Sequence, residues 1–383
     1  MSQTKTFFPL LQRITSSGEK LLYIDGLRFF AVISVFFFHF IDYYNDNHAN
    51  SIKKYTFIYD YMQGSVMGVI LFFSISGFLI AMPFYRHYVD KDGTFSLRNY
   101  YFRRLTRLEP PYIFHLLLLF FLMVFVLKTK PFAETVPHLL ASVFYCHEII
   151  YREMPVLNTV LWTLEIEIQF YVLAPLIALV FRLDRYPRRI ILLLMIGIFA
   201  FYSPIDPGFP TIFRYIHYFL IGFLALDVYN GIKRRPGRSI FYDIICFTAI
   251  LLLWVTKEAY LIILFLYILL VYSSKTVLFI KILENGIIYT IGGMCYSIYM
   301  LHQKLIYSLA GVIFPEVVIG NSYLSDFFIR LVFTLAATLF ISSIFFMLIE
   351  RPTMKKNWWR FRSPKEQLPG EQYLINTKEI NLK

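Results

Sequence analysis

Apolar runs of membrane-crossing length, broken by short polar and basic stretches, repeat along almost the whole chain. A helix satisfies its own backbone hydrogen bonds, so about 17 to 25 predominantly apolar residues suffice to cross a hydrocarbon core. On that measure the pattern predicts ten helical spans, over residues 21–41, 65–85, 110–127, 159–181, 190–203, 212–230, 239–256, 259–273, 287–311 and 326–349. The fifth and eighth are short for a crossing. No fixed-period repeat or long linker interrupts the series, and the outer loops are short apart from residues 42–64 and 128–158. The expected architecture is an all-α integral membrane protein, a bundle of about ten transmembrane helices. It divides into an N-terminal segment over 1–20, a transmembrane domain over 21–350 and a short basic tail over 351–383.

Composition agrees with the pattern: of 383 residues, 58% are hydrophobic and only 16% charged. The formal net charge of +12 would suit a nucleic acid if it formed one soluble face, but here the basic residues sit in clusters between apolar runs. Cytoplasmic loops are the ones enriched in Lys and Arg. With the N-terminus inside, 27 of the 37 basic residues fall on the cytoplasmic side and six outside, so both termini are expected in the cytoplasm and the protein in the cell (inner) membrane. The first run carries Asp25 and Arg28 and ends in "IDYYNDN", with no small-residue cleavage site, so it is expected to remain as an anchor. The three cysteines show no metal-ligand spacing, and no metal is expected. "FAETVPHLLASVFYCHEIIYREM" is apolar enough to lie at the outer interface and carries no evident chemistry.

Ionisable groups at membrane depth are costly and therefore functional candidates. In "YIDGLRFFAVISVFFFHF" Arg28 and His39 stand eleven residues apart, which puts them on one helix face about 16 Å apart along the axis. The bland alternative, an arginine snorkelling inward and a histidine at the outer interface, explains each alone better than the aligned pair. In "YYFRRLTRLEPPY" Arg104 and Arg107 share a face, with Arg103 beside them. Guanidinium forks on one face suit phosphate oxygens, although an ordinary positive-inside flank explains them too. In "LNTVLWTLEIEIQFYVLAP" Glu165 and Glu167 point about 200° apart, so only one can face a site that His39 faces. Glu167 shares its face with Thr163 and Tyr171, and Glu165 shares with Trp162 and Gln169; interhelical hydrogen bonding is the structural alternative for both. "IGGMCYSIYMLHQKLIY" brings His302 and Lys304 to mid or outer depth, with no single role chosen for the histidine.

Together these segments resemble the acyltransferase 3 family of integral membrane acyltransferases, from about residue 22 to 352. "IDGLRFFAVISVFFFHF" is similar to its opening motif, an arginine followed by ten residues and a histidine. "GVILFFSISGFLI" resembles its second helix, "RRLTRLEPPY" its paired-arginine signature and "LWTLEIEIQFYVLAP" its Trp, Glu and Phe-Tyr pattern. "FLIGFL", "CYSIYMLH" and "IERP" follow in the family's order.

The resemblance implies transfer of an acyl group, most simply acetyl, from cytoplasmic acyl-CoA to a hydroxyl on the far side of the membrane, commonly a sugar of a surface polysaccharide or glycolipid. It makes His39 the catalytic histidine, Arg28 its partner arginine, and Arg104 and Arg107, with Arg103 as neighbour, the donor-binding arginines. The family glutamate falls on Glu167; Trp162, Tyr171 and His302 are then expected to contact substrate. Some members carry a soluble esterase-like domain after this region, and the sequence holds no such nucleophile motif, so transfer is expected to finish within the membrane domain or on a partner. A neutral His39 taking the acceptor proton, with Glu167 as orienter, and an acyl-histidine intermediate both fit these residues. The rival class is a transporter or flippase for a lipid-linked glycan, which also keeps charges inside a helix bundle but usually shows repeats and broken helices in corresponding positions.

Overall fold

Backbone groups in an apolar surround must find partners within the chain, and the computed structural model is helical at every predicted span. It describes residues 8–14, 20–47, 56–92, 95–202, 208–233, 237–309, 323–355 and 358, and these form helices and turns without a strand. In chain order the helices are α1 (Leu22–Asn47), α2 (Thr56–Gln63), α3 (Met67–Tyr88), α4 (Leu97–Phe121), α5 (Phe132–Val143), α6 (His147–Tyr151), α7 (Trp162–Ile177), α8 (Arg185–Phe201), α9 (Ile212–Lys233), α10 (Ile240–Leu253), α11 (Ala259–Tyr272), α12 (Phe279–Leu283), α13 (Gly286–Gly293), α14 (Cys295–Ser308) and α15 (Tyr323–Phe345).

Among the described residues, six helices are long and apolar enough to cross a membrane: Leu22–Asn47, Tyr59–Tyr88, Leu97–Val126, Thr159–Arg182, Ile212–Lys233 and Leu324–Thr353. The other four predicted spans differ for physical reasons. With 14 residues each, α10 and α11 reach only about 21 Å, short of a hydrocarbon core of about 30 Å. In α8 three arginines occupy the first turns. The ninth run is two helices, α13 and α14, meeting at Met294. Gly292 lies just before that break, and a Cβ there would fall 1.7 Å from the Asp25 carbonyl oxygen, so only glycine lets α13 sit this close to α1.

The core gathers around α1, α3 and α9, while α4 and α15 are largely peripheral. At the crossing of α3 and α9 two glycines face each other. A Cβ on Gly77 would lie 2.1 Å from the Phe219 carbonyl oxygen, and one on Gly222 would lie 2.3 Å from the Ser74 carbonyl oxygen. Here the obstacle is backbone, which cannot rotate away, so Gly77→Val is expected to destabilise the fold by about 3 kcal/mol. The check is a lowered unfolding temperature and reduced yield of folded protein, with Ser76→Ala as a neighbouring control that keeps the crossing intact.

Toward the other end of α1, the Tyr44 hydroxyl donates to Asp326 Oδ2 (2.7 Å), and Arg330 Nε donates to the same carboxylate at 2.9 Å. This buried polar cluster ties the end of α1 to α15 and fixes the long axis along which Arg28 and His39 are spaced.

Candidate active site

One continuous helix carries both residues of the opening motif. Asp25, in the first turn of α1, is favoured there by the helix dipole. Its Oδ1 accepts from Arg28 Nη1 at 2.7 Å and from Arg13 Nη1 at 3.1 Å. Arg28 is thus held in place by a neighbour three residues back, a spacing readable in the sequence. Because α1 runs unbroken to Asn47, His39 stands about 16 Å farther along the axis on the same side.

Helix α4 starts on Ser96, whose hydroxyl accepts from the Asn99 N–H. Its first turns then present Arg103, Arg104 and Arg107. The Arg104 guanidinium lies over the Tyr100 ring at 4.0 Å and near the Tyr171 ring at 5.3 Å. Such stacking orients the planar fork while leaving its N–H donors to face outward. Arg107 interacts electrostatically with Glu350, which in turn accepts from the backbone N–H and the hydroxyl of Ser297.

The two glutamates of α7 separate cleanly. Glu165 is fully buried, and its two oxygens accept from the backbone N–H groups of His147 and Glu148 at 3.3 and 3.1 Å. It caps the short helix α6, a job for which a buried carboxylate is well suited. Glu167 points the other way: its Oε1 accepts from Ser76 Oγ (2.7 Å) and from the Tyr171 hydroxyl (2.6 Å). Its charge also acts on Arg28.

Arg28, Arg103, Arg104, Arg107, Glu167 and Tyr171 all line one cavity of about 640 Å³. The sequence placed each of these residues separately; the fold brings them to one wall. Ser76, Tyr296, Tyr299 and Glu350 are among the other polar residues that line it and were not singled out beforehand. Glu350 lies in "IERP" and Ser76 in "SISGF", so the signal for both lay in motifs whose apolar letters dominate.

Three expected site residues stand elsewhere. Trp162 packs on Tyr215 and Phe73, with ring centroids 5.2 and 6.3 Å away. His39 and His302 form a separate pair, ring centroids 5.1 Å apart and planes inclined at 48°. His302 is fully buried, and its Nδ1 lies 2.7 Å from the Tyr299 carbonyl oxygen. A carbonyl only accepts, so that bond requires Nδ1–H; in the neutral ring Nε2 is then a bare acceptor, and no described side chain or backbone group meets it. Glu167 is engaged by Ser76 and Tyr171, and the titratable ring beside His39 is that of His302.

The pair and the cavity are linked through two helices. Arg28 and His39 share α1, while Tyr299, which lines the cavity, and His302 share one turn of α14. The Tyr299 hydroxyl, accepting from Thr163 Oγ1 at 2.8 Å and donating to the Val160 carbonyl at 3.2 Å, locks that turn against α7. Among the described residues no group of three or more His, Cys, Asp or Glu side chains is placed to hold a metal ion.

Comparison with known proteins gives a consistent picture. Residues 21–347 match the family model of the acyltransferase 3 type, described as an acyltransferase domain. The O-acetyltransferase OatA of Staphylococcus aureus strain NCTC 8325 is 27% identical over 386 residues, covering 88% of this chain and 58% of its own length. A chain of S. aureus strain COL, named provisionally as an O-acetyltransferase, is 25% identical over 349 residues, covering 80% of this chain and 53% of its own. The present chain thus spans about half the length of these relatives. No solved structure matches it.

Proposed function

Since the chain belongs to the acyltransferase 3 family, we propose that it is a membrane O-acyltransferase, moving an acetyl group from acyl-CoA on the cytoplasmic side to a sugar hydroxyl of a polysaccharide or glycolipid outside. One observation carries this reading. The arginines of α4, Arg28 and Glu167 line a single cavity, and a second titratable cluster lies farther along the helix that bears Arg28.

A thioester donor needs its phosphates anchored and its reactive carbon presented. The forks of Arg104 and Arg107, with Arg103 at the rim, hold the pyrophosphate oxygens. Arg28, steadied by Asp25, offers N–H donors to the amide carbonyls of the pantetheine arm as it passes toward His39. Glu167, with Ser76 and Tyr171, keeps a fixed negative charge near Arg28 and aligns it. The pantetheine arm spans the interval to His39. There the acceptor hydroxyl oxygen bonds to the acyl carbon, the C–S bond breaks, and the hydroxyl proton passes through His39 to the CoA sulfur. His302 supports this step: as the substrates bind, the neighbouring His39 ring turns to donate an N–H to the bare Nε2 of His302, which leaves the other His39 nitrogen as the base. Trp162, at the start of α7, and Tyr171, in its middle, contribute to substrate contacts.

The same reading makes residues 21–350 the transmembrane acyltransferase domain, with ten helical segments through the bilayer of the inner cell membrane. The segments 1–20 and 351–383 are cytoplasmic on this reading, and most of both lies outside the described residues. Short α10 and α11 are accommodated by local thinning of the bilayer or by neighbouring helices.

The test is a reconstituted vesicle assay with acetyl-CoA outside an inverted vesicle and a glycan acceptor enclosed. Release of free CoA is expected only when both are present, together with a base-labile ester on the glycan. A carrier would instead move the glycan without any donor, and that result would remove the enzymatic reading.

A further inference from the structure

Next to the cavity of the α4 arginines lies a second one of about 880 Å³, and the two adjoin at Leu21, Met82 and Arg86. The transfer chemistry has no use for it. Its wall carries five basic side chains, Arg86, Arg185, Arg188, Arg189 and Lys233, against two carboxylates, Asp90 and Asp227.

Two features set this surface apart from an ordinary basic flank. First, Arg185, Arg188 and Arg189 sit at the N-terminal end of α8, a 17-residue helix with no acidic residue in its first turn. The N-cap of α8 is Asp184, and Asp227 pairs with Arg188 and Arg189, so two carboxylates offset part of this charge. The positive end of the helix dipole still favours a further anion beside the remaining cations. Second, Arg188 is only 6% exposed, and although it and Arg189 share the Asp227 carboxylate, the Arg188 Nε remains without an acceptor. Buried guanidinium donors are normally all engaged. Arg185 reaches across to α9, its Nη2 standing 3.3 Å from where a Cβ on Gly231 would lie, and Lys233 follows two residues later.

We propose that this second basin binds the 3′-phosphate of the donor's adenosine, while the α4 arginines hold the pyrophosphate. This rests on acyl-CoA being the donor. The two phosphate groups of CoA are separated by a ribose, so one nucleotide needs two neighbouring anion sites, and the adjoining basins supply them. A phosphate monoester carries about −1.5 to −2 at neutral pH and accepts bidentately from guanidinium. The Asp227 lock is structural and stays untouched; Arg185 and Lys233, both exposed at the rim, are the residues that reach the ligand.

The experiment compares two donors that share the thioester arm, acetyl-CoA and S-acetyl-4′-phosphopantetheine, in wild-type protein and in the double variant Arg185→Gln, Lys233→Gln. The expected result is a KM for acetyl-CoA raised about tenfold, with kcat unchanged and the KM of the shorter donor unchanged. Adenosine 3′,5′-bisphosphate is expected to compete with acetyl-CoA in the wild type and to lose that competition in the variant. Equal changes for both donors, or none for either, would overturn the subsite. So would an effect present in vesicles with anionic lipid and absent in neutral nanodiscs, because the basin would then hold a lipid headgroup. Failure of the wild type to use either donor would instead refute acyl-CoA as the donor, a separate outcome from loss of the subsite.

Discussion

His39→Ala is expected to lower acetyl transfer by about 10³-fold, within the range by which a positioned base accelerates a proton transfer. Donor binding should persist, because the cavity that holds the arginines does not include His39. The measurement is therefore twofold: ester formed per unit of folded protein, and protection of the protein against thermal unfolding by acetyl-CoA. Retained transfer with normal protein level would remove His39 from the chemistry. His302→Gln is expected to cost about tenfold, since the glutamine still packs but no longer presents a lone pair in the imidazole geometry. Incubation with labelled acetyl-CoA and no acceptor separates the two routes. Label retained on wild-type protein and absent from His39→Ala marks an acyl-histidine, whereas no label marks direct transfer.

How far this could be read from the chain depends on which interactions decide each feature. Apolar runs are local, so the helical segments and the one-face spacing of Arg28 and His39 were legible, and the unbroken α1 keeps that spacing. The break at Met294 was not, and neither was the close approach beside it of Gly292 to the Asp25 carbonyl of another helix, a contact with no local signature. Likewise periodicity showed that Glu165 and Glu167 face opposite ways, but their jobs are set by partners 17 and 91 residues distant, Glu148 for one and Ser76 for the other. The family resemblance favoured Glu167, and the hydrogen bonds give Glu165 a separate structural task. His302 is the reverse case: its residue type was visible, while its neighbour His39 and its Tyr299 carbonyl partner follow only from how α14 packs on α1. The second basic basin was visible merely as a positive loop, since three arginines at the start of a helix look the same whether they meet headgroups, solvent or a nucleotide.

The paired substitution Arg104→Ala, Arg107→Ala is expected to reduce kcat/KM for acetyl-CoA by about 10²-fold or more, mostly through KM. Hydrogen bonds to charged groups contribute about 1.5 to 3 kcal/mol each, so losing two forks from one anion accounts for that size. Geometry makes a finer expectation available. The Arg104 guanidinium carbon stands 4.0 Å from the Tyr100 ring centroid and 5.3 Å from that of Tyr171, a placement that suits a planar cation, whereas Arg107 interacts with Glu350 through its charge. Arg107→Lys keeps the charge and should retain most donor affinity, while Arg104→Lys loses the stacked fork and should behave nearly like alanine. An ordinary positive flank would show neither asymmetry: both lysine variants would match wild type, and the double alanine variant would alter membrane insertion and protein level without changing the KM of the molecules that do fold. Measuring KM on matched amounts of folded protein therefore decides between a phosphate-binding pair and a topological signal.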